Sequence, residues 1–284
     1  MIVLPKVKRT KDIRAEFATI LVYAVPRWGK TNSIRTLLTH GFKPIIIGTD
    51  QGAAMGQQTL ADVDVPIIPV RNWDEAVLVF AELSKKEGKC QYAGEFYDTI
   101  VLDSLSGMGD IWMAKGMEVM NWTEVGVAHP GHDPRRIYAY VPEKGRQTVK
   151  ALTNQKAHLI LLCRETMQEE TVNDVRNTYP APELPGAKLP RELPGWIDGV
   201  LFGKFMNQQR VMMTEAEGKI VAGIRAPLGQ RFPKYIVPDY GLLIKAMMGD
   251  AQALAQCKAE VGPKMKVGAS APAPVVNSKP TVGV

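Results

Sequence analysis

The chain is short of cysteine, of histidine and of long apolar runs, and each shortage excludes a class. Its three cysteines, Cys90, Cys163 and Cys257, are far apart and form no Cys-x-x-Cys pair. A disulfide scaffold is therefore excluded, a zinc site is not suggested, and a reducing cytoplasm suits the usage. His129 and His132, two of only four histidines, bracket a Pro-Gly pair and read as loop residues rather than metal ligands. The longest apolar run near the start, residues 17–25, has nine residues and is too short to span a bilayer. Asp12 and Glu16 interrupt the basic stretch before it and no small-residue cleavage site follows, so neither export nor a membrane is expected.

What is present is ordinary globular composition: 284 residues, 45% apolar and 23% charged. That excludes collagenous and wholly disordered classes and fits one large domain or two small ones. The net charge is +6, but residues 1–17 carry a net +3 and residues 262–284 another +3, so the body is neutral. Bulk charge thus argues only weakly for a nucleic-acid partner. From residue 262 the composition turns to Pro, Gly, Ala, Ser and Val without aromatics, the signature of a disordered tail.

Apolar runs at 17–25, 43–48, 65–70, 99–102 and 158–163 read as buried strands, and helical spacing appears at 31–40, 73–86 and 144–156. The alternation predicts an α/β fold, a mostly parallel central sheet with helices on both faces. Residues 191–205 and 210–224, around Gly199 and a turn at 215–218, predict an antiparallel edge hairpin. Residues 165–193 contain Pro180, Pro182, Pro185 and Pro190 and read as a long functional loop.

Residues 24–31 spell A-x-x-x-x-G-K-T between a strand and a helix, a phosphate-binding loop with Ala24 in place of its first glycine. Such a loop curls its amides around phosphates. Ala24, Val25, Pro26, Arg27, Trp28, Gly29, Lys30, Thr31 and Asn32 are therefore candidate contacts for ATP. Lys30 is placed to reach the β and γ phosphates, and the Thr31 hydroxyl to bind Mg²⁺. The Ala24 Cβ restricts φ and close approach, which predicts reduced affinity. Asp103 ends the strand at 99–102 and is the second candidate Mg²⁺ ligand. Asp50, after the strand at 43–48, and Glu165, after the strand at 158–163, are alternative general bases for the attacking water. Arg164, or Glu165 where it is not the base, is a candidate γ-phosphate sensor. Trp112, Trp122, Tyr138 and Tyr140 near Arg135 and Arg136 suit base stacking or core packing equally well, with Asp133 blunting the charge.

With these motifs in this order (AVPRWGKT, PIIIGTD, YDTIVLDSLSG, LILLCRE, PELPGAKLPRELPGWIDGVLFGK and IRAPLGQRFPKYIVPDYG), residues 18–245 resemble the RecA-like AAA ATPases of bacteriophages, including the Sak-type single-strand annealing recombinases. The resemblance implies a RecA-like ATPase domain at 18–261 between a basic extension at 1–17 and the tail at 262–284. It implies ATP and Mg²⁺ as cofactors, single-stranded DNA as partner, a homo-oligomeric ring or filament, and action in recombination or replication in a bacterial host's cytoplasm. In RecA-like enzymes the acid after the second core strand is usually Glu, so the shorter Asp50 bears on turnover. The same resemblance makes 165–191 a mobile DNA-binding loop, though Glu169, Glu170, Asp174 and Glu183 offset Arg176, Lys188 and Arg191. It makes Arg225 and Arg231 candidates to reach a neighbouring subunit's nucleotide, and leaves the tail for docking a single-strand-binding or annealing protein. Two alternatives stand beside it: a nucleotide-gated assembly protein with little turnover, and a small-molecule phosphotransferase, for which 165–190 makes a poor arginine-rich lid.

Overall fold

The computed structural model describes residues 15–50, 58–84, 89–122, 136–172, 175–227 and 229–259. The tail expected at 262–284, most of the basic extension, and His129, His132, Asp133 and Arg135 lie outside these ranges.

Strand β1 (Thr19–Ala24) is buried along its whole length, as expected of a strand rich in aliphatic and aromatic residues. A 3-10 turn (Asn32–Ile34) and helix α1 (Arg35–Thr39) follow. The helical stretch expected at 31–40 is thus split and shortened. Hydroxyls are the reason: Ser33 donates to Gly29 O, Thr36 to Ser33 O and Thr39 to Thr36 O, and such back-bonds tighten and bend a helix.

Next come β2 (Pro44–Gly48), β3 (Ile67–Pro69), α2 (Trp73–Leu83), and a small separate hairpin of β4 (Cys90–Tyr92) and β5 (Glu95–Tyr97). Strand β6 (Thr99–Asp103) leads into α3 (Leu105–Met120), and α4 (Arg136–Thr153) into β7 (His158–Val172). The remaining elements are β8 (Val175–Pro182), α5 (Lys188–Glu192), β9 (Gly199–Met206), β10 (Gln209–Met213), β11 (Gly223–Ile224), β12 (Tyr235–Ile236), α6 (Tyr240–Met247) and α7 (Ala251–Gln256).

Side by side, the strands run β12-β10-β9-β1-β7-β6-β2-β3. From β9 to β3 every neighbouring pair is parallel; β10 and β11 pair antiparallel with β9, and β12 with β10. The fold is therefore the α/β sheet with antiparallel edge that the alternation predicts. The edge hairpin turns at Asn207 and Gln208, both at positive φ, the two-residue turn whose twist suits a hairpin. Side chains alternate between two cores. Leu21, Ile45, Leu102 and Leu161 face α2, α3 and α4, while Val22, Ile46, Val101 and Leu162 face α1, α6 and α7.

One expectation is overturned and one helix is added. Residues 165–182 are not an irregular loop: β7 continues past the sheet and pairs antiparallel with β8, from Glu165 opposite Pro182 to Val172 opposite Val175. Thr166, Thr171, Thr178 and Tyr179 are good strand formers. Pro180 and Pro182 are accommodated because β8 pairs only with β7, and an edge strand tolerates a missing donor. The sixteen-residue helix α3 lies outside the helical stretches that spacing predicts, because its glycines hide its signal. A Cβ at Gly116 would lie 3.1 Å from Ile137 and Tyr140 of α4, so close packing, not a break, accounts for that glycine.

Candidate nucleotide site

Strand register puts the candidate residues on one rim. Ala24 lies opposite Arg164 on one side and Gly203 on the other, and Gly48 lies opposite Asp103. These are the carboxyl ends of parallel strands, where ligands of open α/β sheets collect.

The loop leaving β1 turns at Arg27 (φ 65°) and Gly29 (φ 108°). Ala24 is still within the strand and is absent from the positive-φ positions, so its Cβ introduces no backbone strain there. The Trp28 side chain is fully buried, and its indole N–H donates to Lys204 O at 3.0 Å. It anchors the loop from below rather than facing a ligand. Gly203 makes the room: a Cβ there would sit 2.8 Å from the Trp28 ring and 2.9 Å from the Ala24 Cβ. Val25 and Pro26 are exposed at the start of the loop.

The Lys30 ammonium donates to Ala24 O at 2.7 Å and Val25 O at 3.2 Å. Burial lowers its pKa, while Cys163, Asp103 and Glu165 pull the other way. The Thr31 hydroxyl donates to Asp103 Oδ2 at 2.7 Å. Burial raises the Asp103 pKa and the charge of Asp50 adds to that, against the Thr31 bond and Lys30. A buried carboxylate whose anionic form is disfavoured gains most from a cation. Among the described residues no group of three or more His, Cys, Asp or Glu could hold a metal. The Thr31 and Asp103 oxygens nevertheless fit Mg²⁺, which takes one or two protein ligands and completes its shell with phosphate and water.

Asp50 Oδ1 accepts from the Ser104 hydroxyl at 2.9 Å, and Ser104 Oγ also caps α3 by accepting from Gly107 N–H at 3.0 Å. Arg164 Nη1 lies 4.0 Å from Asp50 and Nη2 lies 3.5 Å from Asp110, while Nε donates to Glu183. The expected sensor is thus ringed by three carboxylates. Glu165 stands on the other side of the loop. Burial raises its pKa, opposed by the Lys30 charge and the backbone N–H of Val25. The structure therefore brings Lys30, Thr31, Asp50, Asp103, Arg164 and Glu165 together. It does not bring Arg225 or Arg231 to them within one chain: Arg225 lies at the strands' opposite end, 3.7 Å from Asp198, and Arg231 pairs with Glu215 at 3.2 Å.

Several residues of the site carry no motif. Tyr240 on α6 is fully buried and donates through its hydroxyl to Lys30 O at 3.1 Å. Arg210 on β10 reaches over the loop, its Nη1 2.9 Å from where a Gly29 Cβ would be. Arg27, Gly29, Lys30, Thr31, Asn32 and Arg210 border a cleft of about 640 Å³. Only a register assignment for the edge hairpin could have pointed to Arg210.

Solved structures match the chain at low identity. A RadB recombinase matches with TM-score 0.41 at 13% identity, over 78% of this chain and 88% of that one. An ATPase from the type III secretion system of pathogenic bacteria matches with TM-score 0.35 at 12% identity, over 66% and 52%. Among curated proteins, none matches the sequence. The model of one family, described as an AAA domain, matches residues 16–226, a span that holds the whole rim of Lys30, Thr31, Asp50, Asp103 and Glu165, and the chain belongs to that family of nucleotide-binding ATPase domains.

Proposed function

We propose that this protein binds ATP with Mg²⁺, hydrolyses it, and couples the hydrolysis to single-stranded DNA as a homo-oligomer serving phage recombination or replication. The observation that carries the ATPase reading is the 2.7 Å bond from Thr31 to Asp103, which joins the phosphate-loop hydroxyl to the strand-end acid. Bound Mg²⁺ supplies neutralising charge on the phosphates. Lys30 exchanges its two carbonyl acceptors for phosphate oxygens. Asp50 takes the water-orienting role, since Ser104 and Arg164 hold its carboxylate beside Asp103. Glu165, tied to the Val25 amide and facing Lys30, braces the loop.

What supports coupling to a partner is the β7–β8 arm. It extends about 25 Å beyond the rim at strand rise, and its root is fastened to the site by Arg164 and Glu183. Arm movement therefore bears on the arginine that neighbours Asp50. Arg225 or Arg231 act in trans in this reading, and the tail at 262–284 docks a single-strand-binding or annealing protein. The test is ATP hydrolysis with and without single-stranded DNA, for the wild type and Lys30→Ala. The expected result is DNA-stimulated turnover that Lys30→Ala abolishes. Turnover indifferent to DNA overturns the coupling, and no turnover at all overturns the ATPase.

A further inference from the structure

Arg35, Arg146, Arg164, Arg176, Arg225 and Arg231 each meet a carboxylate. Arg27 and Arg210 meet none among the described residues, although both border the same cleft. Lys30 makes a third cation at that lining, its charge already met in part by Asp103 and Glu165. The two arginines converge beside Lys30 without a carboxylate of their own among the described residues; like charges brought together repel one another, and an anionic ligand relieves the repulsion. The two arginines arrive by different routes. Arg27 is presented by the loop itself in a left-handed conformation, φ 65°, one that a side chain adopts only at a cost. Arg210 comes from the antiparallel edge, opposite Phe205 on β9. Its guanidinium rests on the one loop residue without a side chain, for a Cβ at Gly29 would lie 2.9 Å from Nη1 and 3.1 Å from Cζ.

We propose that Arg27 and Arg210 form a clamp, contributed by the same chain, that closes on the phosphate chain of the bound nucleotide from its solvent side. The inference rests on the phosphate-loop reading and adds to it a ligand contact from the edge hairpin. A guanidinium fork matches phosphate oxygens in two parallel bonds, whereas an ammonium at the same place gives a single point charge. The contact is to phosphate, so the base is irrelevant to it.

The experiment measures dissociation constants for ATP, ADP and inorganic tripolyphosphate with Mg²⁺, and single-stranded DNA retention, for the wild type, Lys30→Ala, Arg210→Ala and Arg210→Lys. Arg210 is exposed, so these variants are expected to fold, and thermal melting checks that. Loss of a charged hydrogen bond is expected to weaken ATP and tripolyphosphate alike, by about tenfold to a hundredfold in Arg210→Ala, with partial recovery in Arg210→Lys. ATP affinity within twofold of wild type in Arg210→Ala, while Lys30→Ala loses it, overturns the clamp and leaves the site intact. The same holds if Arg210→Ala keeps ATP and loses DNA, which makes the arginines a nucleic-acid contact. A wild type that binds neither ATP nor tripolyphosphate overturns the underlying reading itself.

Discussion

The two ends of the parallel strands are both polar, but they spend their polar groups differently. At the amino end, Asp198 accepts from Thr19 N–H, Asp98 from Lys43 N–H, and His158 Nδ1 from Ala18 N–H, at 3.0, 2.9 and 3.0 Å. Those side chains satisfy the backbone where strands begin, and Arg225 is held between Asp198 and Gly195 O. A cavity of about 510 Å³ opens there too, lined by Phe17, Met247 and Met248 among others, but Arg225, the cation among its described lining residues, already has its acid. At the carboxyl end, side chains meet side chains across strands, as with Thr31 and Asp103 or Ser104 and Asp50, and Arg27 and Arg210 meet no carboxylate among the described residues. A cavity alone does not mark a site; convergent groups with capacity left over do.

The sharpest way to break this comparison is to disable the carboxyl rim. Lys30→Ala and Asp103→Ala are each expected to lower kcat by at least about 10²–10³-fold, measured as steady-state ATP hydrolysis, with melting temperature preserved. Asp50→Asn tests the division of labour between the acids. It is expected to lower kcat by about 10²-fold or more while ATP affinity holds, whereas Glu165→Gln is expected to act mainly on affinity through the loop. The reverse pattern would exchange the two roles.

How much of this rim could be read from the sequence depends on whether a residue's role is local. Lys30, Thr31 and Asp103 are local: a loop between strand and helix and an acid at a strand's end carry their chemistry in their spacing. Asp50, Arg164 and Glu165 were legible as strand-end polar groups, but their division of labour was not. It rests on Ser104, Glu183 and the Val25 amide, which only strand register brings near. Arg210 and Tyr240 were illegible for the same reason, being 181 and 210 positions from the loop residues they serve, Gly29 and Lys30. The β7–β8 arm was misread because prolines signal loops unless the strand is an edge, and edge position is a property of the assembled sheet.

A subtler change probes the floor of the carboxyl rim. Gly203→Ala places a methyl within 2.8 Å of a ring that is already fully buried. Overpacking of this kind costs about 1–3 kcal/mol, which thermal unfolding resolves. Because Trp28 lies under the loop, ATP affinity is expected to fall with stability. Unchanged affinity in a destabilised Gly203→Ala would detach the floor from the site.

The amino rim supplies the smallest effects, and a pH dependence gives the clearest one. Burial lowers the His158 pKa below its usual value of about 6.5, and Nδ1 must stay unprotonated to accept from Ala18 N–H. As pH falls through about 6.5, the unfolded chain takes up a proton that the folded chain refuses, so stability is lost on acidification and regained toward neutrality. Thermal melting between pH 7.5 and 5 is expected to show that slope, and His158→Gln is expected to flatten it at the expense of a lower melting temperature at pH 7.5. ATP affinity at pH 7.5 should move by less than about twofold in His158→Gln, because the ring serves a strand start and not the ligand rim. A His158→Gln protein that melts normally yet binds ATP tenfold more weakly would join the two ends energetically and end the separation on which the comparison stands.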